Sequence, residues 1–511
     1  MRVTILLSAC AIVAVPAVVS AALSDPLRIE SGVISSPANS ANGVRSFKGI
    51  PYAAAPVGDL RWRPPQPAAI WDGVRKAEQF GSVCMQNQGR GASGPAPSED
   101  CLYLNVWTAA QSASDRRPVI VWSYGGGFYV GSGSQPNYDG EALARKGAVV
   151  VTYNYRLGML GFFSHPELTK ESKHHASGNY GMMDMVQALR WVQKNIAAFG
   201  GDPNRVTIDG ESAGAMLVAA ATGSPEAKGL FKRAISQSGA FMGISIAKMT
   251  TLRQAEEAGK KMTTELGAAD LAALRALPAS DFLKFSQGSR LIVDGWYIPE
   301  DLSSIFAGGK QNPVDILVGS NHDEGTFFVR PGSSTQQEYL TQTHERFGNL
   351  ADGYLQLHPA ASDAEAETSR LAGVRDEMGW HMRLWAQMQT SIGNQAYLYY
   401  FTRVPPSAPG QVSRGATHTA EIRYMFNNLD DHTPWTEVDR KLADMMSTYW
   451  VNFAATGDPN GKGLPAWLPY GGQHQQPMVL GDQSGTGPGI DGNVLAFFDQ
   501  FYQQQYQRQR P

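Results

Sequence analysis

Consecutive runs of β-branched and apolar residues alternate along this chain with segments whose apolar positions recur every three to four residues. Pro118-Val119-Ile120-Val121-Trp122 and Ala148-Val149-Val150-Val151-Thr152-Tyr153 are two such runs. Neither alternates apolar with polar, so both faces of each strand are expected to be buried, as in a sheet covered by helices on both sides. Shorter runs predict strands at 206–209, 234–236, 314–318 and 396–401. Between them, 184–199 carries apolar residues at helical spacing and stops at Gly200-Gly201, a C-terminal signal. Val438, Leu442, Met445, Tyr449 and Phe453 form one stripe that ends before Gly457-Asp458-Pro459 and reads as the core-facing side of a helix. The Pro-rich segment 51–67 is expected to be irregular and to lie on the surface. The alternation of strands and helices predicts an α/β architecture.

With 511 residues, 42% apolar and 17% charged, the chain has an ordinary globular composition. Its formal net charge of −3 and its lack of long charged runs point away from nucleic acid as a partner. The N-terminus differs from the rest. Arg2, an apolar stretch over 3–19 and then Ser20-Ala21-Ala22 describe a secretory signal peptide, placed at 1–22. A retained membrane anchor is the competing reading. Leu7-Ser8-Ala9-Cys10 resembles a lipoprotein box, but the apolar run before it is too short. No later segment is apolar for long enough to span a bilayer. Residues 23–511 are expected to form a single catalytic domain, secreted or periplasmic. Of three cysteines, Cys84 and Cys101 remain after processing, and an even pair in an exported protein reads as one disulfide. Two buried thiols are the alternative.

Gly210-Glu211-Ser212-Ala213-Gly214 is the only G-x-S-x-G in the chain. A β-branched run precedes it and a helix-forming segment follows. In that context the motif predicts a sharp strand-to-helix turn that presents Ser212 as a nucleophile. Tyr124-Gly125-Gly126-Gly127-Phe128 directly follows the strand at 118–122. Its glycines let backbone N–H groups approach a substrate carbonyl, and Gly126, Gly127 and Ala213 are the candidate oxyanion donors.

Several further segments resemble the type B carboxylesterases, the family of the bacterial p-nitrobenzyl esterases and the cholinesterases. They are Phe47-Lys48-Gly49-Ile50-Pro51-Tyr52-Ala53, Glu99-Asp100-Cys101-Leu102-Tyr103-Leu104-Asn105-Val106-Trp107, Asn154-Tyr155-Arg156, Phe199-Gly200-Gly201-Asp202-Pro203, Ser236-Gln237-Ser238-Gly239 and Thr456-Gly457-Asp458-Pro459. The resemblance implies an α/β-hydrolase fold, with a large, mostly parallel sheet of eight or more strands flanked by helices. It assigns the remaining catalytic groups to Glu324, in Asp323-Glu324-Gly325, and His418, in His418-Thr419-Ala420-Glu421-Ile422. It places Glu211, Ser238 and Glu421 in a polar network beneath the histidine. It also pairs Arg156 with Asp184, and Glu99 with an early basic residue. The order Ser212, Glu324, His418 agrees with that of α/β-hydrolases. The implied activity is ester hydrolysis through an acyl-serine intermediate, with a small-molecule ester as substrate and no metal or cofactor.

His432 is the nearest rival to His418 but lacks the surrounding pattern. His165, His174 and His175 read as solvated loop residues, because no ordered ligand spacing accompanies them. Tyr124 stands where many carboxylesterases carry His and cholinesterases carry Tyr. The segment between the cysteines holds no aromatic residue, so the Trp with which cholinesterases bind a quaternary ammonium has no counterpart there. Trp296 and Tyr297 are read either as pocket lining or as core. The rival functions are a lipase or a hydrolase dedicated to one natural-product or toxin ester, and, in another class, a non-catalytic adhesion or binding protein on the same fold.

Overall fold

The computed structural model describes residues 23–36, 42–87, 94–240, 249–285, 289–407 and 410–508; the expected signal segment, with Cys10, lies outside them. Ten strands form one sheet: β1 (Arg45–Pro51), β2 (Tyr103–Thr108), β3 (Arg117–Ser123), β4 (Val149–Tyr153), β5 (Gly201–Glu211), β6 (Arg233–Gln237), β7 (Asp315–Asn321), β8 (Ala396–Phe401), β9 (Met478–Leu480) and β10 (Gly485–Thr486). Their spatial order is β10-β9-β8-β7-β6-β5-β3-β4-β2-β1. The strands from β9 across to β4 pair in parallel, and the antiparallel pairings are confined to the two edges. The continuous apolar runs occupy the middle, where β4 and nearly all of β3 are buried. That is what a parallel sheet covered on both faces requires.

Helices α1 (Tyr180–Asn195), α2 (Ala213–Gly223), α4 (Asp363–Ser391) and α5 (Glu437–Thr456) cover the sheet, and α3 (Gly325–Phe328) and α6 (Gly492–Arg508) pack on α4. Strand alternation sorts the covering of β8. The Tyr397 and Tyr399 rings meet Phe453 and Trp450 of α5, and Leu398 and Tyr400, with part of Tyr399, border a cavity with Gly379 and Arg383 of α4. None of these helices is long and apolar enough to cross a membrane.

Three expectations need correction. Helix α1 starts at Tyr180, ahead of the predicted 184, and a 3-10 turn at Ile196–Phe199 follows it. The stripe on α5 buries Leu442, Tyr449 and Phe453, but Val438 in the first turn is exposed. The segment 51–67 is irregular as expected, yet Arg61 and Trp62 are buried. Trp62 packs on Phe163 and Phe282, and Arg61 holds Glu99 through Nε–Oε1 (2.7 Å) and Nη2–Oε2 (2.6 Å). Arg156 grips Asp184 of α1 in the same two-pronged way, at 2.8 and 2.7 Å, with both side chains buried. Cys84 and Cys101 are joined by a disulfide.

The C-terminal ends of three central strands converge on one place. Gly210 of β5 pairs with Ser123 of β3, so the chain leaves both strands side by side, toward Ser212 and toward the glycine loop. Beyond β7, Asp323 forms a parallel bridge with Thr417 and sets the next residues, Glu324 and His418, next to each other. In open parallel sheets, ligands bind outside the carboxyl ends of the strands.

Candidate active site

Ser212 stands between the end of β5 and the start of α2 with φ 54° and ψ −122°. A non-glycine residue in that region carries about 1–3 kcal/mol of strain. The turn is held because it is crowded. A Cβ on Gly210 would lie 2.6 Å from the Gly214 backbone, and one on Gly214 would overlap the Ser123 carbonyl. The Ser212 N–H donates to Gln237 O (2.9 Å), which ties the turn to β6. Positive φ also occurs nearby at Phe128, Ser238 and Thr419, as it does away from the site at Trp62, Arg116, His175, Asn179 and Asn427.

Glu324 and His418 are in direct contact. The imidazole Nδ1 lies 2.6 Å from Glu324 Oε2. The other carboxylate oxygen accepts from Ser238 Oγ (2.5 Å) and from the Asn321 N–H (2.8 Å). Ser238 therefore fixes the carboxylate that faces the imidazole and does not itself contact the histidine. A carboxylate on Nδ1 fixes the tautomer and leaves Nε2 directed elsewhere. That Nε2 lies 3.0 Å from Oε1 of Glu211, the residue before Ser212. Glu421 sits further back and accepts from Asn321 Nδ2. Ser238 and Glu421 thus belong to the network through Glu324 and Asn321 respectively.

All four of these ionisable groups are buried. Burial disfavours the imidazolium, but Glu211, Glu324 and Glu421 outweigh it and hold His418 up at about 9. Burial raises Glu211, with its carboxylate neighbours adding to the shift and His418 opposing it. Glu421 is raised by burial and by Glu324 to about 7. The cluster thus holds extra protons at neutral pH.

A cavity of about 740 Å³ opens over this cluster and is bordered by Ser212, Glu211, His418 and the glycine loop 125–127. Gly126 and Gly127 have φ of 105° and 61°. Ala213 is the first residue of α2, where amides have no partner within the helix. The glycines are closely fitted, since a Cβ on Gly125 would lie 3.0 Å from Ser212 Cβ. Sequence reasoning missed the aromatic wall. Phe327 and Phe328 of α3 line the cavity, are partly exposed, and pack on the His418 ring at centroid distances of 5.1 and 4.9 Å. Their adjacency to Glu324 in the chain was the available signal.

Other candidates lie elsewhere. His432 is exposed, in a turn capped by Asp430. His165 is buried and caps a short helix by accepting from the Glu167 N–H (3.3 Å), which corrects its reading as a solvated residue. His174 stacks on Trp296 at 3.6 Å, and Trp296 Nε1 donates to Glu226 (3.1 Å). Trp296 and Tyr297 do not line the cavity, and Tyr297 is core. The Tyr124 ring is also buried, stacked on Tyr155, so the difference at that position does not reach the cavity surface. Among the described residues no group of three or more His, Cys, Asp or Glu is placed to hold a metal ion.

The parallel sheet, the strand-to-helix turn and the site at its edge define an α/β-hydrolase fold. A profile of the carboxylesterase family matches residues 28–498, and the chain belongs to that family. It is 41% identical over 475 residues to a fumonisin B1 esterase of Sphingopyxis macrogoltabida, covering 88% of this chain and 85% of that one. It is 34% identical over 467 residues to the para-nitrobenzyl esterase of Bacillus subtilis, covering 86% and 91%. A solved PNB esterase structure superposes with a TM-score of 0.81 at 31% identity, over 92% of this chain and 98% of the other. The protein is a carboxylic ester hydrolase.

Proposed function

We propose that Ser212, His418 and Glu324 form the catalytic triad of this esterase. Ser212 Oγ attacks the ester carbonyl carbon while its proton passes to His418 Nε2. The carbonyl π electrons move onto oxygen, and the N–H groups of Gly126, Gly127 and Ala213 receive the resulting oxyanion. Collapse of the intermediate breaks the bond to the alcohol oxygen, which takes the proton from His418. Water then repeats the sequence on the acyl-serine. Glu324 holds the imidazole tautomer and stabilises the imidazolium. The observation that carries this reading is the 2.6 Å Glu324–His418 contact beside a strained serine, all on one glycine-lined cavity.

The substrates are uncharged, partly apolar carboxylic esters, with Phe327 and Phe328 supplying an apolar wall. The chain is exported, with 1–22 removed as a signal peptide. A second reading, a hydrolase dedicated to one toxin or natural-product ester, is favoured by the likeness to the fumonisin B1 esterase. A panel of p-nitrophenyl esters assayed beside fumonisin B1 separates the two by the ratio of kcat/KM values. Ser212→Ala is expected to lose about 10³-fold or more of kcat on every substrate turned over. Comparable turnover by that variant overturns the triad.

A further inference from the structure

The glycine loop is fastened to the disulfide-closed segment by one side chain that the mechanism does not use. Gln86 Nε2 donates to Gly131 O (2.8 Å) and to Cys84 O (3.0 Å). The Gly131 N–H donates back to Gln86 Oε1 (2.9 Å). The carboxamide thus pairs with both backbone groups of Gly131 as a neighbouring strand would. Asn154 makes a second tie alongside. Its Oδ1 accepts from the Gly133 N–H (2.9 Å) and its Nδ2 donates to Ser82 O (3.0 Å).

From Gly131 to the candidate oxyanion donors there is little slack. A Cβ on Gly131 would lie 2.6 Å from the Tyr124 ring and 2.9 Å from Gly125 O, so Gly131 is wedged against the base of the loop. That ring is stacked on Tyr155 and cannot yield. The Tyr129 and Val130 N–H groups both donate to Gly126 O at 3.1 Å, so the loop closes on Gly126 itself. On its other side Gly125 abuts Glu211 and Ser212. A shift of Gly131 therefore turns the peptides that carry the Gly126 and Gly127 N–H groups.

We infer that Gln86 is a positioning residue for the oxyanion donors. It borders the cavity, but its carboxamide is already committed to three protein hydrogen bonds. It acts on the reaction through Gly131 and the loop, and contributes little to ground-state binding. The inference rests on the reading of Gly126 and Gly127 as oxyanion donors. Donor alignment matters most where charge develops, so loss of the clasp appears in kcat and not in KM.

The test uses the full-length enzyme with Gln86→Met, which keeps the length of the side chain and removes all three bonds. Gln86→Asn is the gentler variant, keeping both the donors and the acceptor but drawing the carboxamide back from Gly131 by one methylene. The readouts are kcat and KM on p-nitrophenyl butyrate, and Ki for an aryl trifluoromethyl ketone, which adds to the serine and places an oxyanion in the hole. Gln86→Met is expected to lose about 10-fold or more of kcat, with KM within about threefold of wild type. Its Ki is expected to rise in step with the fall in kcat/KM. Gln86→Asn is expected to fall between the two proteins and decides the question alone should the Met variant not fold. A folded variant with wild-type kcat and Ki, or a loss confined to KM, overturns the inference. Failure of the underlying reading looks different: the wild-type enzyme itself is then not inhibited by the ketone, or Ser212→Ala stays active.

Discussion

Opposing electrostatic demands meet at His418. Burial pushes it toward neutrality, and the surrounding carboxylates, Glu211 and Glu324 chief among them, push it toward the charged form. The carboxylates prevail, which in the proposed reaction stabilises the imidazolium formed when Ser212 gives up its proton. A base held too high is occupied by a proton when it is needed, however. Burial raises Glu211, whose Oε1 lies 3.0 Å from His418 Nε2 with no hydrogen bond between them, so its carboxyl competes with the imidazole for a proton. With that proton on the carboxyl, Nε2 is free to accept from Ser212. Glu211→Gln removes one of the charges that hold His418 up, so the imidazole of the variant loses its proton at lower pH. The acidic limb of its kcat/KM profile is expected to move down by about 1 unit or more. Its maximal kcat is expected to fall as well, because the developing imidazolium loses a partner. A pH–rate profile from pH 5 to 10 measures both, and an unmoved limb contradicts this role for Glu211.

Among the elements, β3 to β8 were readable because their apolar runs are local and continuous. The turn at Ser212 was readable because its glycines are adjacent in the chain. What escaped depends on contacts between distant segments. His165 reads as a solvated loop residue because no ordered ligand spacing accompanies it, but packing against Phe163 and capping of the next helix bury it. The Gln86–Gly131 clasp joins residues 45 apart and leaves no periodicity to detect. Trp296 and Tyr297 are aromatic in either setting, and only the position of α1 and its neighbours decides between core and cavity. The Glu324–His418 pairing, 94 residues apart, came from the family resemblance alone. Arg156 and Asp184 show what such long-range ties contribute to an element. They anchor α1 to the segment after β4, and Arg156 Nη1 also donates to Arg63 O (2.8 Å). Arg156→Met leaves Asp184 charged and buried without its partner, at a cost of about 3–5 kcal/mol. The urea midpoint of unfolding is expected to fall accordingly. A smaller loss from Arg156→Met/Asp184→Leu than from the single substitution would show that the orphaned charge, and not the missing contact, causes it.

For the molecule as a whole, the buried cluster makes stability depend on pH. His418 has a folded pKa of about 9 against a usual 6.5, so its contribution is complete below the lower value and disappears as pH rises through the upper one. Glu421 is a carboxyl raised to about 7, the reverse of the usual paired acid. It binds a proton in the folded state that the unfolded chain has released, so between its unfolded value near 4.5 and about 7 it also subtracts stability as pH rises. These two slopes have the same sign, as has that of Glu211, likewise raised by burial, and Tm is expected to decline from pH 6 to pH 9.5, with the cluster supplying on the order of 1–3 kcal/mol of the change. Glu421→Gln keeps an oxygen to accept from Asn321 Nδ2 and cannot ionise. It removes one of these slopes directly. It also lowers the folded pKa of His418, because Glu421 is one of the groups that raise it. Its Tm is therefore expected to fall less steeply than that of wild type across this range and to exceed it at pH 9. Calorimetric scans at half-unit intervals give both curves, and parallel curves would mean that Glu421 neither titrates in this range nor acts on His418.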